Sequence, residues 1–503
     1  MVQAGIKKYT KGSLIMNGLN LTLLTDLYEM TMMQGYKQAH VKNHEVVFDL
    51  FYRTNPCNSG FAIVAGLEQA IDYIKNLSFS EEDLDYLRSL NLFSEDFINE
   101  LRAFRFTGDI YAIPEGTVVF PKEPLLRVKA PIFEAQFIET ALLNIINHQS
   151  LIATKAARVC WAAEGDSVLE FGLRRAQGPD AGIYGARAAM IGGCTGTSNV
   201  LAGKMFDVPV KGTHAHSWVM SFPDELTAFR EYAKAFPDNC ILLVDTYDTL
   251  KSGVPNAIQV FKELKENNIK PKVMGIRLDS GDLAYLSKEA RKMLDNAGFP
   301  EAIISASSDL DEYLIADLKR QGAKITMWGV GTRLITSKDC PAFGGVYKLA
   351  AERNDEGVLV PKIKLSENPD KVTNPGVKKI IRVYEKATGK IKADLIALEE
   401  EVFDETKPLK LFDPVNTWKQ MKLKPGTFTL RELLVPVFIN GECVYESPSV
   451  MEIREYCKQD LATLWDESKR LTNPHIIPVD LSKKLYDLKK QMIDAIRDSN
   501  IEE

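Results

Sequence analysis

Cysteine is sparse and unpatterned in this chain. The seven cysteines, at positions 57, 160, 194, 240, 340, 443 and 457, are odd in number and never spaced as Cys-x-x-Cys, which argues against a disulfide framework and a structural zinc site and implies a reducing compartment. Long apolar runs are missing too. No segment approaches a membrane span, and the first eight residues contain no apolar stretch of signal-peptide length, so a cytoplasmic protein with no membrane partner is expected. There is no excess of positive charge: 62 Lys and Arg against 68 Asp and Glu give a net charge of −6 and a pI near 5.8. A nucleic-acid partner is therefore not expected. Histidine is scarce, with six in the chain, and that number becomes decisive below.

What is present is an ordinary globular composition, 45% hydrophobic and 26% charged over 503 residues, enough for two or three domains. From residue 241 to about 350, β-rich runs at 241–245, 273–277, 302–305 and 325–328 alternate with amphipathic helical stretches, as βα units of a parallel sheet do. Further strand candidates lie at 167–171, 191–194, 210–213 and 345–349, and Ser308-x-x-Asp311 reads as a capping box. About eight strands with short connections predict a closed α/β barrel, with a doubly wound sheet as the alternative. The fold expected is α/β: an irregular barrel over 161–352, an N-terminal α+β domain over 1–160, and a C-terminal extension of β-hairpins and helices over 353–503. Part of 353–445 is expected to pack back on the N-terminal domain.

In such folds the working residues gather where strands end. Gly212-Thr213-His214-Ala215-His216 places two imidazoles two residues apart at one such end, where an extended backbone would aim both the same way. One possibility is a metal-ligand pair, as in barrel hydrolases. That site needs further histidines from later strands, and His475 alone follows the pair. The other possibility is that one imidazole is a nucleophile or acid/base beside a phosphate, the second being packing. Arg277-Leu278-Asp279-Ser280-Gly281-Asp282 sets a cation, carboxylates and a helix start in one turn, suited to phosphate, Mg²⁺ or ribose hydroxyls; the plainer reading is a helix cap. Gly329-Val330-Gly331-Thr332 and Gly344-Gly345 offer close backbone approach to a phosphate, or simple tight turns. Arg174-Arg175 after a strand could meet an anion, or form a salt-bridged surface loop.

Taken in order, Leu24-Thr-Asp-Leu-Tyr28-Glu29, Glu170-Phe-Gly-Leu-Arg-Arg-Ala-Gln-Gly-Pro-Asp180, Gly212-Thr-His-Ala-His-Ser217, Leu243-Val-Asp-Thr-Tyr247, Gly275-Ile-Arg-Leu-Asp-Ser-Gly-Asp282 and Gly329-Val-Gly-Thr332 resemble the nicotinate phosphoribosyltransferase family. The likeness runs from about residue 20 to 350 and more loosely beyond. It implies a type II phosphoribosyltransferase, joining nicotinate to phosphoribosyl pyrophosphate with ATP hydrolysis and Mg²⁺. By the same resemblance His216 is the phosphorylated histidine and His214 falls at a variable position. Phe171 and Tyr28, the latter reaching across a homodimer interface, would sandwich the pyridine ring. Arg277 and Thr213 would meet the carboxylate. Arg174, Asp279 and Ser280 would hold the phosphoribosyl group and its Mg²⁺-bound pyrophosphate, and Gly329, Gly331, Thr332, Gly344 and Gly345 the 5′-phosphate. The related nicotinamide enzyme carries an aspartate where Ser198 stands here; a hydroxyl can donate to nicotinate and a carboxylate would repel it, which favours the acid as substrate.

Overall fold

A computed structural model describes residues 20–368, 371–416 and 418–499. The expectation of no signal-peptide segment rests on the first eight residues and lies outside the described ones. No helix among the described residues is long and apolar enough to cross a membrane.

The segment that bears the motifs builds a parallel sheet of six short strands: β1 (Ser167–Glu170), β2 (Gly196–Thr197), β3 (Asn239–Leu243), β4 (Val273–Leu278), β5 (Ile303–Ala306) and β6 (Met327–Val330). Their spatial order is β2-β1-β6-β5-β4-β3, and a single parallel bridge from Thr197 to Val210 extends it beyond β2. Stepping sideways from β1 through β2 and Val210, then from β3 to β6 and back to β1, follows the chain in sequence order. That is a barrel opened along one seam, between Val210 and β3. Burial explains why these runs are strands: Cys240 to Leu243 are all buried, as expected of a parallel sheet covered by helices.

Three expected strands are corrected. Residues 191–194 form no strand, because Ile191 ends the helix Pro179–Ile191; the apolar run is buried against the long helix Glu139–Ala162, where a Cβ at Gly192 would stand 2.3 Å from the carbonyl oxygen of Ala153. Residues 210–213 contribute the one bridge at Val210. The strand expected to finish the barrel, Gly345–Arg353, instead pairs antiparallel with Glu45–Tyr52 of the N-terminal sheet. A cross-strand aromatic pair explains the choice: Tyr347 stacks on Phe48 with ring centroids 4.6 Å apart. The capping box at Ser308 is also absent, since Asp311 itself caps Glu312–Arg320 by accepting from the Leu314 amide.

The N-terminal sheet draws on distant parts of the chain. Glu45–Tyr52, Leu126–Pro131 and Asp109–Ala112 are flanked by Leu359–Pro361 with Gly345–Arg353 on one side and Val435–Ile439 with Glu442–Cys443 on the other. The hairpin between the last two turns at Asn440-Gly441, both with positive φ of 50° and 77°, as a type I′ turn requires. A third sheet holds the expected hairpin Lys378–Glu385 and Ile391–Leu398, completed by Val479–Leu481 and others. The helix Val450–Ala462 packs on Pro179–Ile191 of the barrel.

Candidate active site at the barrel rim

Strand register brings the motifs together. Leu243 pairs with Arg277, Arg277 with Ser305, Val330 with Glu170, and Glu170 with Thr197. The residues one or two steps beyond these pairs, Asp245, Asp279, Ser307, Gly331, Phe171 and Ser198, therefore share one rim. Arg277 is the hub. Its Nε donates to Ser307 Oγ at 2.8 Å, Nη1 to Thr213 Oγ1 at 2.9 Å and to the His214 carbonyl at 3.3 Å, and Nη2 to Asp279 Oδ1 at 2.8 Å. The guanidinium also lies over the Phe171 ring, 5.9 Å from its centroid.

Asp279 is held on three sides. Ser307 Oγ donates to the same Oδ1, and His216 Nε2 lies 3.7 Å from Oδ2. Burial alone would raise its pKa, but the Ser307 hydrogen bond, Arg277 and His216 outweigh it and hold the carboxyl below the usual aspartate value. It is not a helix cap. Asp282 caps Leu283–Asn296 by accepting from the Tyr285 amide, which leaves Asp279 and Ser280 free for the rim. Asp245 organises both: its Oδ2 accepts from the Asp279 amide at 2.8 Å and from Ser280 Oγ at 2.6 Å, while its Oδ1 is buried with no hydrogen-bond partner among the described residues.

The two histidines diverge because the chain turns between them. His216 opens the short helix His216–Met220, is 40% exposed, and bonds through Nδ1 to Thr246 Oγ1 at 3.1 Å. His214 is buried. Among the described residues no group of three or more His, Cys, Asp or Glu could hold a metal ion.

The remaining predicted residues fall into two groups. Phe171 is central, and Gly329 serves it: a Cβ there would stand 2.7 Å from the Phe171 ring, and one at Gly331 would stand 3.1 Å from its carbonyl oxygen. Ser198 sits at the end of β2 with its amide fixed by the Glu170 carbonyl, and Thr332 starts the next short helix. Gly344 has a φ of 73°, and a Cβ on Gly345 would overlap Asn147 Oδ1 at 2.0 Å; that oxygen is buried without a partner among the described residues. Arg174 is exposed and, among the described residues, neither it nor Arg175 has a carboxylate partner, so no salt-bridged loop forms. Tyr28 is not in this group. It lies on the helix Leu27–Gln38, 44% exposed, where burial together with Glu139 and Glu29 raises its pKa.

Asp245, Ser307 and Thr246 belong to the rim without a role from the family motifs; all three follow a strand by one to three residues, which is the sequence signal that finds them. Asn147 had no such signal, because it comes from mid-helix in another part of the chain.

Comparison with known proteins agrees with this architecture. Descriptions of the nicotinate phosphoribosyltransferase (NAPRTase) N-terminal domain, family and C-terminal domain match residues 23–147, 167–348 and 377–489. The nicotinate phosphoribosyltransferase of Bacillus subtilis is 49% identical over 484 residues, covering 96% of this chain and 97% of its own. Nicotinate phosphoribosyltransferase 2 of Arabidopsis thaliana is 37% identical, covering 94% of each. The crystal structure of the human nicotinic acid phosphoribosyltransferase superposes with a TM-score of 0.80 at 30% identity, over 93% of this chain and all of that one. The chain belongs to the nicotinate phosphoribosyltransferase family.

Proposed function

We propose that the protein transfers phosphoribosyl from phosphoribosyl pyrophosphate to nicotinate, forming nicotinate mononucleotide and pyrophosphate in NAD salvage, and that ATP hydrolysis is coupled to this through a phosphohistidine at His216. The Arg277 hub carries the proposal. One guanidinium lies over an aromatic ring, bonded to Thr213 on one side and Asp279 on the other, and four bonds leave one of its five N–H groups without an acceptor among the described residues. A pyridine ring on Phe171 would bring its carboxylate to Arg277 and Thr213, with the Ser198 hydroxyl as a further donor. Asp279, held ionised, faces the electron-poor ribose of the transfer, where charge and positioning matter more than a strong base. Arg174 and Ser280 would meet the pyrophosphate, and Thr332, Gly344 and Gly345 the 5′-phosphate, with Gly329 and Gly331 keeping room for Phe171 beside it. Tyr28 would cover the second face of the ring from another copy, which makes the working unit a homodimer.

Magnesium suits the same rim. The unpartnered Asp245 Oδ1 is an oxygen of the kind Mg²⁺ prefers, and an ion held by one or two carboxylates plus substrate phosphate oxygens needs no protein cage. Bound there it would neutralise pyrophosphate charge.

With Nδ1 bonded to Thr246, His216 Nε2, 3.7 Å from Asp279 Oδ2 and so beyond hydrogen-bond distance of it, is the nitrogen that would react. Its lone pair would attack the γ-phosphorus of ATP, the bond from that phosphorus to the β–γ bridging oxygen breaks, and ADP leaves with the electron pair. Water later takes the phosphoryl group, restoring the imidazole and releasing phosphate. The added charge on His216 beside Asp279 would bias closure and substrate affinity.

The test is nicotinate mononucleotide formation with and without ATP, with nicotinamide as the competing substrate. Faster turnover of nicotinamide would overturn the substrate choice. Incubation with γ-labelled ATP should give an acid-labile label that is absent in His216→Ala, and label retained in that variant would remove His216 from the mechanism.

A further inference from the structure

The barrel is open along one seam, and a side chain bridges it. Between the stretch at Val210 and β3 the described residues make no backbone hydrogen bond. Just past the end of β3 the Val244 amide points to β4, donating to the Arg277 carbonyl, so the amide one residue earlier, the last of β3, points the other way, into the seam. That Leu243 amide donates to His214 Nε2 at 3.2 Å. We infer that His214 is a positioning residue: its imidazole stands in for the missing strand pairing, and so fixes Thr213 and His216 on either side of it.

The surroundings select one state of the ring. Nε2 accepts and therefore carries no proton, while Nδ1 lies 3.4 Å from the Ala215 carbonyl, which can only accept. The protonated tautomer is thus Nδ1–H. Tyr232 and Phe229 pack on the ring at centroid distances of 4.5 and 6.3 Å. Burial pulls its pKa down to about 4, with the Ala215 contact opposing and Arg277 and His216 reinforcing, so the ring stays neutral near pH 7. The backbone carbonyl of the same residue accepts from Arg277. One residue therefore ties the segment to β3 by its side chain and to β4 by its backbone. Thr213, which accepts from Arg277, and His216, which bonds Thr246 just past β3, hang from that tie.

Removing the acceptor would leave the buried Leu243 amide unsatisfied and free the segment, lowering catalytic competence more than packing alone explains. The activity readouts rest on the proposed reaction; two others do not. His214→Phe keeps an aromatic ring against Tyr232 and removes the acceptor, whereas the amide oxygen of His214→Gln can reach the Nε2 position. His214→Phe should slow His216 phosphorylation and raise the KM for nicotinate, each by about tenfold, and His214→Gln should recover most of both. A His214→Phe enzyme with unchanged parameters, or a His214→Gln enzyme no better than it, would overturn the inference. In the unaltered protein, ¹⁵N-histidine spectra should show His214 as the Nδ1–H tautomer, not titrating between about pH 6 and 9; an Nε2–H tautomer would refute the bond. Leu243 amide exchange should be slow in the unaltered and Gln proteins and fast in the Phe protein. If the reaction assignment fails but the seam stands, the spectra and exchange hold while the activity arms change.

Discussion

Two arginine–aspartate clusters of similar composition do opposite work in this protein. At the rim, Arg277 and Asp279 are 14% and 31% exposed, and the cluster keeps an unused N–H, the unpartnered Asp245 Oδ1 and a half-exposed imidazole. Between the sheets, Arg382 and Asp394 are fully buried, with Asp460 nearly so. There the guanidinium bonds Asp394 through Nε and Nη2, the Val118 carbonyl through Nη2 at 2.7 Å and Asp460 through Nη1, and stacks on Phe120. Asp460 in turn accepts from the Val118 amide. A cluster sealed from solvent fixes how distant segments join; a cluster open to solvent at a rim can receive a ligand.

The largest effect should come from the buried side of this comparison. Arg382→Met strands two buried carboxylates and should cost about 3–5 kcal/mol of unfolding free energy, read by denaturant titration, with activity per folded molecule retained. Loss of activity without loss of stability would erase the distinction. Arg277→Met should do the reverse: kcat/KM for nicotinate falls by about 10² to 10³, while unfolding free energy falls by less than in Arg382→Met, because Asp279 keeps Ser307 and access to solvent. A smaller change is expected from Ser198→Asp, which sets a carboxylate near the nicotinate carboxylate and should raise its KM by about tenfold; an unchanged KM would move the substrate carboxylate elsewhere.

The smallest concerns a buried aspartate with no cation bonded to it. Burial, then Asp413, push the Asp480 pKa up to about 6, with Lys419 opposing. A raised carboxyl favours the folded state while protonated, so its contribution declines as pH rises from the unfolded value, about 3.9, through 6. Asp480→Asn should therefore stabilise the protein at pH 8 by about 1 kcal/mol, after solvent screening is allowed for, and by nothing near pH 4. A gain independent of pH would show that the charge is not the cause.

Much of the barrel was readable as alternation. Runs such as 273–277 pair β-branched and apolar residues with a helix that follows Asp279-Ser280-Gly281, and local physics suffices to make a strand and a helix of them, though Asp282 is the residue that caps it. The misassigned strands share a cause: apolar character says that much of 191–194, and Tyr347 within 345–349, is buried, but not against what. Gly345–Arg353 resembles a barrel strand in composition and joins another sheet because Phe48, nearly 300 positions earlier, offers Tyr347 a face. The rim residues at strand ends were legible for a similar local reason, whereas Asn147 reaches Gly345 through the packing of a helix that carries no motif.

By itself the sequence determined the class of fold, the family and many of the residues that line the rim, because each is written in short stretches whose local preferences agree. Tertiary structure alone decided how those residues divide their work. His214 and His216 are two residues apart and chemically identical as written. The helix that starts at His216, just past the extended Ala215, sends one ring into the seam and the other to the rim, and only the partners each then meets make the first a strut and the second a candidate nucleophile.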